Sequence, residues 1–205
     1  MTRLGFLIAR TLRQEAPLVT LSVPQADLLA DLAGKRVALV GNARALAGTL
    51  HGAAIDAHDV VVRINRAPIP SAESHGRRTD WLALAVRLGT EDRARLRPAR
   101  VLWMSHKRKR LDWQTATSPG FYLHPQADYA GLKARIGAQP TTGAMLIDLF
   151  ARSRMAGLTL FGFDFFASLS LSGSRTAEQV PHDFSAEARF VLDLIAHDSR
   201  IIRAM

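Results

Sequence analysis

Five short stretches of the chain carry residue types at spacings that could handle an anionic nucleotide. The first is Val37-Ala-Leu-Val-Gly41-Asn42, an apolar run that ends in Gly-Asn and opens a helix. Such a run leaves free backbone N–H groups and a side-chain amide at the tip of a parallel strand, where anionic nucleotides bind. The second, Val60 to Asn65, repeats the pattern of a buried strand ending in an amide. An amide supplies donors and an acceptor without changing charge. Asn42 also suits a turn with left-handed backbone, and Asn65 a strand-end cap. The third, Pro140-Thr-Thr-Gly143, starts a helix, so Thr141, Thr142 and Gly143 can offer N–H groups and hydroxyls to a phosphate or carboxylate. The helix dipole adds about 0.3 to 1 kcal/mol there, and threonine is equally an ordinary N-cap. The fourth, Phe161-Gly-Phe-Asp164, ends another apolar run. Its Gly162 either lets a ligand come close or makes a tight turn, with Phe163 beside it. In the last, His182 precedes a helix whose first turn holds Glu187. An imidazole titrating at roughly 6.5 can take a proton at neutral pH, and the carboxylate can orient the ring or favour the helix end. The alternative for His182 is an exposed loop histidine.

Several chemistries are excluded. The turn Gly41-Asn-Ala-Arg-Ala-Leu-Ala47 lacks the second and third glycines of a dinucleotide fingerprint, and Gly34-Lys35 is followed by Arg36, not by the Ser or Thr of a P-loop. Asp-x-Asp, the usual clamp for a diphosphate-bound divalent metal, does not occur. With zero cysteines there is no disulfide, thiolate metal site or thiol nucleophile, which fits a reducing, cytoplasmic setting. The balance of 27 Lys and Arg against 18 Asp and Glu, net +9, selects the sign of the partner: phosphates, nucleotide sugars, anionic glycans, nucleic acid or acidic lipid. No apolar run approaches the roughly 20 residues of a membrane-spanning helix. Leu4, Leu7, Ile8 and Leu12 fall at helical spacing beside Arg3, Arg10 and Arg13, so this segment either packs on its own domain or lies on a membrane surface.

The elements that must position these residues alternate. Helical pieces before Leu32 lead to a strand over Arg36 to Val40 and a helix over Ala43 to Leu50; strands over Val60 to Asn65, Thr79 to Val86, Arg100 to Ser105 and Gly120 to His124 follow, joined by polar or Pro-containing connections. A helix from Thr141 to Met155, a strand from Leu158 to Phe163, a polar loop over Gly173 to Pro181, a helix from Ser185 to His197 and a strand near Ile201 complete the chain. With 205 residues, 48% of them hydrophobic, this is one domain of the α/β class: a Rossmann-like, mostly parallel sheet with helices on both faces. An N-terminal helical segment occupies residues 1–32 and the motif-bearing core residues 36–190.

Taken in order, the blocks resemble the sialylmotifs of the animal-type sialyltransferases, glycosyltransferase family 29. Val40-Gly41-Asn42, Ile55-Asp56-Ala57-His58-Asp59 and Arg63-Ile64-Asn65-Arg66-Ala67-Pro68 match the long motif; residues 140 to 163 match the short one; His182 with Glu187 matches the very short one. The resemblance implies a nucleotide-binding fold of the GT-A-variant kind and an inverting, metal-independent transfer of sialic acid from CMP-sialic acid to a glycan hydroxyl, with His182 as base. It assigns Gly41, Asn42, Asn65, Thr141, Thr142, Gly143, Gly162 and Phe163 to the donor, which is a co-substrate; no cofactor or metal is implied.

The chain also departs from that family. The half-cystines that join the long and short motifs correspond to Val37 and Met155, so apolar packing replaces the staple. The family's third motif needs a histidine between the short and very short motifs, and Asp164 to Pro181 contains none. Another CMP-linked acid such as Kdo is therefore an alternative donor. A non-catalytic nucleotide- or nucleic-acid-binding protein is the rival from another class, and the basic run His106-Lys-Arg-Lys-Arg110 is its main support. The aromatics are few and not interleaved with the basic residues, which argues against specific nucleic-acid binding. The run otherwise suits a solvated loop, an acidic glycan acceptor or an anionic lipid surface, the last implying peripheral contact with a membrane.

Overall fold

Val37, Ala38, Leu39 and Val40 are all buried, so the strand they form is covered on both faces. The computed structural model describes residues 1–164 and 182–204; the loop expected over 173–181 lies outside them. Helices α1 (Arg3–Leu12), α2 (Glu15–Val19) and α3 (Gln25–Ala30) precede strand β1 (Arg36–Val40). A 3-10 turn (Arg44–Gly48) and α4 (Gly52–Asp56) lead to β2 (Val60–Ile64), followed by α5 (Ala72–His75), β3 (Trp81–Leu84), α6 (Thr90–Leu96) and β4 (Arg100–Trp103). A second 3-10 turn (Arg108–Arg110), α7 (Trp113–Ala116), β5 (Tyr122–Leu123), α8 (Gln126–Ile136) and α9 (Thr142–Ala151) come next. The chain ends with β6 (Gly157–Phe161), α10 (Phe184–His197) and β7 (Ile201–Arg203).

The sheet has seven strands in the order β5-β4-β3-β2-β1-β6-β7, and every neighbouring pair is parallel. The chain steps outward from β1 to β5 and then returns to place β6 on the other side of β1. Growth of the sheet therefore reverses between β1 and β6, and at such a switch point the loops leaving the two strands diverge and open a crevice at their C-terminal ends.

The period of two along each strand sorts the core. Val37, Leu39, Val62 and Ala83 face a layer built from Leu28 of α3, Leu132 of α8, Leu146 and Phe150 of α9 and Val191 of α10. On the opposite face, Leu82, Leu84 and Trp103 meet Phe6 and Ala9 of α1 and Leu18 of α2, while Ala38, Val40 and Val61 meet Leu46 and Ile55. The expected α/β architecture with helices on both faces is the one observed. Val37 and Met155, the two positions that the resemblance sets against half-cystines, are both buried in the same apolar cluster.

Some elements differ from the sequence reading. The single helix over 43–50 is instead a short 3-10 turn, with α4 a separate element after it, because only Ala43 and Leu46 of that stretch reach the core and Leu50 is 85% exposed. Strands β3, β4 and β5 are shorter than expected, and α5, α6, α7 and α8 occupy stretches that read as connections. The 11-residue α8 buries only Leu132 and Ile136, so its apolar period is too faint to see in the sequence.

Candidate active site

The ends of β1 and β6 approach so closely that only glycine fits. The N–H of Gly41 donates to the Phe161 carbonyl at 2.8 Å and that of Ala43 to the Gly162 carbonyl at 3.3 Å. A Cβ on Gly41 would lie 2.4 Å from the Gly162 oxygen. Gly162 itself has φ +67°, the left-handed region that glycine enters without strain. Phe163, the next residue, has its ring wedged between two chain segments: it would lie 3.1 Å from a Cβ on Gly41 and 2.7 Å from one on Gly143. Four of the expected donor residues, Gly41, Gly143, Gly162 and Phe163, are thus brought together at the switch point.

The two amides stand on adjacent strands. Asn42 Nδ2 donates to the Ile64 carbonyl at 3.3 Å, which ties the loop after β1 to the residue preceding Asn65. Asn65 has φ 56°, a left-handed conformation that asparagine tolerates better than most residues. Its N–H donates to the Ala83 carbonyl at 2.8 Å and its Oδ1 accepts from the Ala85 N–H at 2.9 Å. The strand-end-cap reading of Asn65 therefore holds. Arg63 of the same motif is buried at 1% exposure and donates to the carbonyls of Arg78 and His75 at 2.8 and 2.7 Å. Burial lowers its pKa to about 10, so it remains charged at neutral pH and acts as an internal strut. Arg44 and Arg66, each one or two residues beyond a site amide, are exposed cations at this end of the sheet.

At the start of α9, the Thr141 hydroxyl accepts from the Ala144 N–H at 3.2 Å and donates to Glu187 Oε1 at 2.5 Å, while the Thr141 N–H donates to Glu187 Oε2 at 2.9 Å. Thr141 therefore commits both its N–H and its hydroxyl proton within the protein. The Thr141 carbonyl takes the Met145 N–H, which leaves the N–H groups of Thr142 and Gly143 without a partner among the described residues. Glu187 is 5% exposed; burial raises its pKa, and the two Thr141 donors and the nearby His182 counter part of that. Its carboxylate grips the α9 cap rather than the imidazole. The ring is oriented from elsewhere: His182 Nδ1 lies 2.8 Å from the Gln139 carbonyl. A carbonyl oxygen only accepts, so the proton of the neutral ring sits on Nδ1 and the lone pair on Nε2. Phe184 lies against the ring with centroids 5.9 Å apart.

The short contacts form one chain across the end of the sheet. His182 is bound at Gln139, two residues before Thr141; Thr141 begins the helix whose Gly143 meets Phe163; Phe163 meets Gly41, and Asn42 reaches β2 just before Asn65. Of the expected site residues, His182, Thr141, Gly143, Phe163, Gly41, Asn42 and Asn65 lie on this chain; Glu187 joins it through Thr141 and Gly162 through Gly41. The sequence reading missed Gln139, which acts through a backbone carbonyl and leaves no signal in residue type. Among the described residues no group of three or more His, Cys, Asp or Glu side chains could hold a metal ion. An open cavity lined by Leu50, Asp56, Glu73 and Arg77, between α4 and α5, contains none of the candidate residues.

Comparison with known proteins bears on the first part of the chain and on the fold. The family model for glycosyltransferase family 29 (sialyltransferase) matches residues 8–87, the part of the chain that holds the long-motif resemblance. A mammalian sialyltransferase superposes with a TM-score of 0.61 at 18% identity, covering 90% of this chain and 82% of the other. The structure of a mammalian sialyltransferase in complex with Gal-beta-1-3GalNAc-ortho-nitrophenol gives 0.59 at 18%, covering 90% and 83%. The sialyltransferase CstII from Campylobacter jejuni, in complex with the substrate analogue CMP-3FNeuAc, gives 0.51 at 12%, covering 82% and 78%. No curated protein matches the chain in sequence.

Proposed function

We propose that the chain is a sialyltransferase-like glycosyltransferase that moves sialic acid from CMP-sialic acid to a glycan hydroxyl with inversion at the anomeric carbon, a reading supported by the family match over residues 8–87 and by the fold. One observation carries the reading: the Nδ1 contact of His182 with Gln139 leaves Nε2 as an acceptor beside the helix start of α9. In the reaction, the acceptor oxygen bonds to the anomeric carbon on one face while the bond from that carbon to the phosphate oxygen breaks on the other. The hydroxyl proton passes to His182 Nε2, and CMP departs with the electron pair. The N–H groups of Thr142 and Gly143 and the α9 dipole face the charge that grows on the phosphate. Asn42 and Asn65 bind the nucleotide, and Gly41, Gly162 and Phe163 shape the space it enters. Thr141 and Glu187 are positioning residues: they join the start of α9 to the start of α10, the helix that follows His182.

Metal independence is part of the proposal. A CMP-sugar leaves with a single phosphate, which oriented N–H groups can stabilise without a cation, and the sequence has no Asp-x-Asp clamp. Turnover of CMP-sialic acid with a panel of galactosides, in the presence of a chelator, tests both points. His182→Ala should lose roughly 100- to 10,000-fold in kcat while CMP still raises its melting temperature. Equal turnover by wild type and variant removes His182 from the mechanism, and strict dependence on a divalent ion overturns the site drawn above. Turnover of CMP-Kdo alone would give the site the other donor.

A further inference from the structure

α1 is apolar almost all round, and its own domain covers only one side. Phe6 and Ala9 are buried against the face of the sheet that carries Leu82 and Trp103, and Arg10 donates to the Leu111 carbonyl at 2.9 Å. Leu4, Leu7, Ile8 and Leu12 are exposed at 69%, 38%, 49% and 63%. At 100° per residue these four side chains fall within one arc of about 140°, opposite Phe6 and Ala9. A helix that is hydrophobic on both sides needs a second apolar neighbour. The other large apolar residues exposed among those described, such as Leu50, Leu192 and Ile202, stand singly on separate elements.

The surroundings of this face decide what covers it. Residues 1–14 include Arg3, Arg10 and Arg13 and no acidic residue. The 3-10 turn Arg108–Arg110 packs against α1, with Arg10 donating to the Leu111 carbonyl, so the sequence-distant basic run lies beside this helix, with Lys107, Lys109 and Arg110 exposed. The nearest carboxylates are committed elsewhere: Glu15 pairs with the buried Arg108, and Asp112 pairs with Arg93. An apolar stripe rimmed by cations and free of anions complements the headgroup boundary of an anionic bilayer, where leucine and isoleucine enter the acyl region and arginine and lysine meet the headgroups. Among the described residues no helix is long and apolar enough to cross a membrane, so the contact is made in the plane of the surface.

We infer that α1 and the 107–110 turn form a docking surface for anionic lipid bilayers, α1 lying flat on the membrane. This goes beyond the transfer reaction and does not depend on it. The turn leaves the C-terminal end of β4, the same end of the parallel sheet at which β1 and β6 form the candidate site, so docking holds that end of the molecule near the lipid.

Co-sedimentation of the full chain with vesicles of phosphatidylcholine, alone or with roughly a third phosphatidylglycerol, tests the inference. The wild type should partition onto the mixed vesicles and much less onto the neutral ones, with binding that falls as salt rises. Leu4→Ser with Ile8→Ser should lower partitioning about tenfold at an unchanged melting temperature, because both side chains are exposed. Lys109→Gln with Arg110→Gln should remove most of the preference for the anionic vesicles. Absence of wild-type binding to the mixed vesicles, or undiminished binding by the Leu4 and Ile8 variant, overturns the inference. A wild-type dimer in sedimentation velocity that the same variant dissolves would give the face to a second copy of the chain instead.

Discussion

The same end of the sheet is built in two ways. At its centre, where β1 and β6 part, the chain uses glycines, amides and a helix start: Gly41 and Gly162 pass within contact of each other, and the hydrogen bonds of Gly41, Asn42 and Ala43 join neutral backbone or amide groups. On the flank, past β4 and β5, it buries charge. Arg108, 3% exposed, donates to Glu15 at 3.0 Å, to the Ser105 carbonyl at 2.7 Å and to the His124 carbonyl at 2.6 Å. His124 lies at the end of β5 with neither ring nitrogen paired among the described residues. Close backbone approach fixes the shape of a crevice without committing charge to it, whereas buried ion pairs hold segments that have little apolar area to share. A net charge of +9 is therefore a poor guide to the candidate site, since part of that charge is structural and part lies on the surface beside α1.

The largest expected effect tests the flank. Arg108→Ala strands the Glu15 carboxylate and two carbonyls, and should cost about 3 kcal/mol or more in denaturant unfolding. It should leave the stabilisation by CMP intact if flank and centre are separate; loss of CMP binding in a still-folded variant would merge them. Next comes pH. Burial lowers the pKa of His124 to about 4, below the roughly 6.5 of an unfolded histidine. The unfolded chain thus binds the proton first, and stability present above pH 6.5 is lost as pH falls toward 4. Between pH 7 and pH 5 the loss from this group should be about 2 kcal/mol. His75, lowered mainly by burial, acts in the same direction, and Glu187, raised by burial, opposes it. His124→Leu should flatten the slope, and an unchanged slope would remove His124 as its source. The smallest effect tests the centre: Gly143→Ala places a Cβ 2.7 Å from the Phe163 ring. The ring must turn, at about 1 kcal/mol in stability, and CMP-sialic acid should bind several-fold more weakly. A folded Gly143→Ala protein with wild-type donor affinity would show that Phe163 does not shape the donor space.

Much of the centre was legible. Val37 to Val40 read as a strand buried on both faces because it has no polar residue to expose, and the Gly-Asn that follows must then stand at a strand tip. The start of α9 was equally readable from Thr141 and the apolar period behind it. The strand-end role of Asn65 was visible only as one of two alternatives, since its left-handed backbone and its bond to Ala85 depend on where β3 lies. The flank was nearly opaque. Nothing in Glu15 announces a partner 93 residues away, and α8 gives no clear period because it buries so little.

The order of amino acids alone determined the class of the fold, the blocks that gather at one end of the sheet and the absence of thiol chemistry, because hydrophobic period and residue type are local properties. Tertiary structure alone decided that His182 is held by a carbonyl at Gln139 and not by Glu187, that Thr141 serves as a brace, and that α1 keeps an apolar side uncovered. Each of those turns on which surfaces meet once the sheet has formed, and a surface's neighbour is not encoded in its own composition.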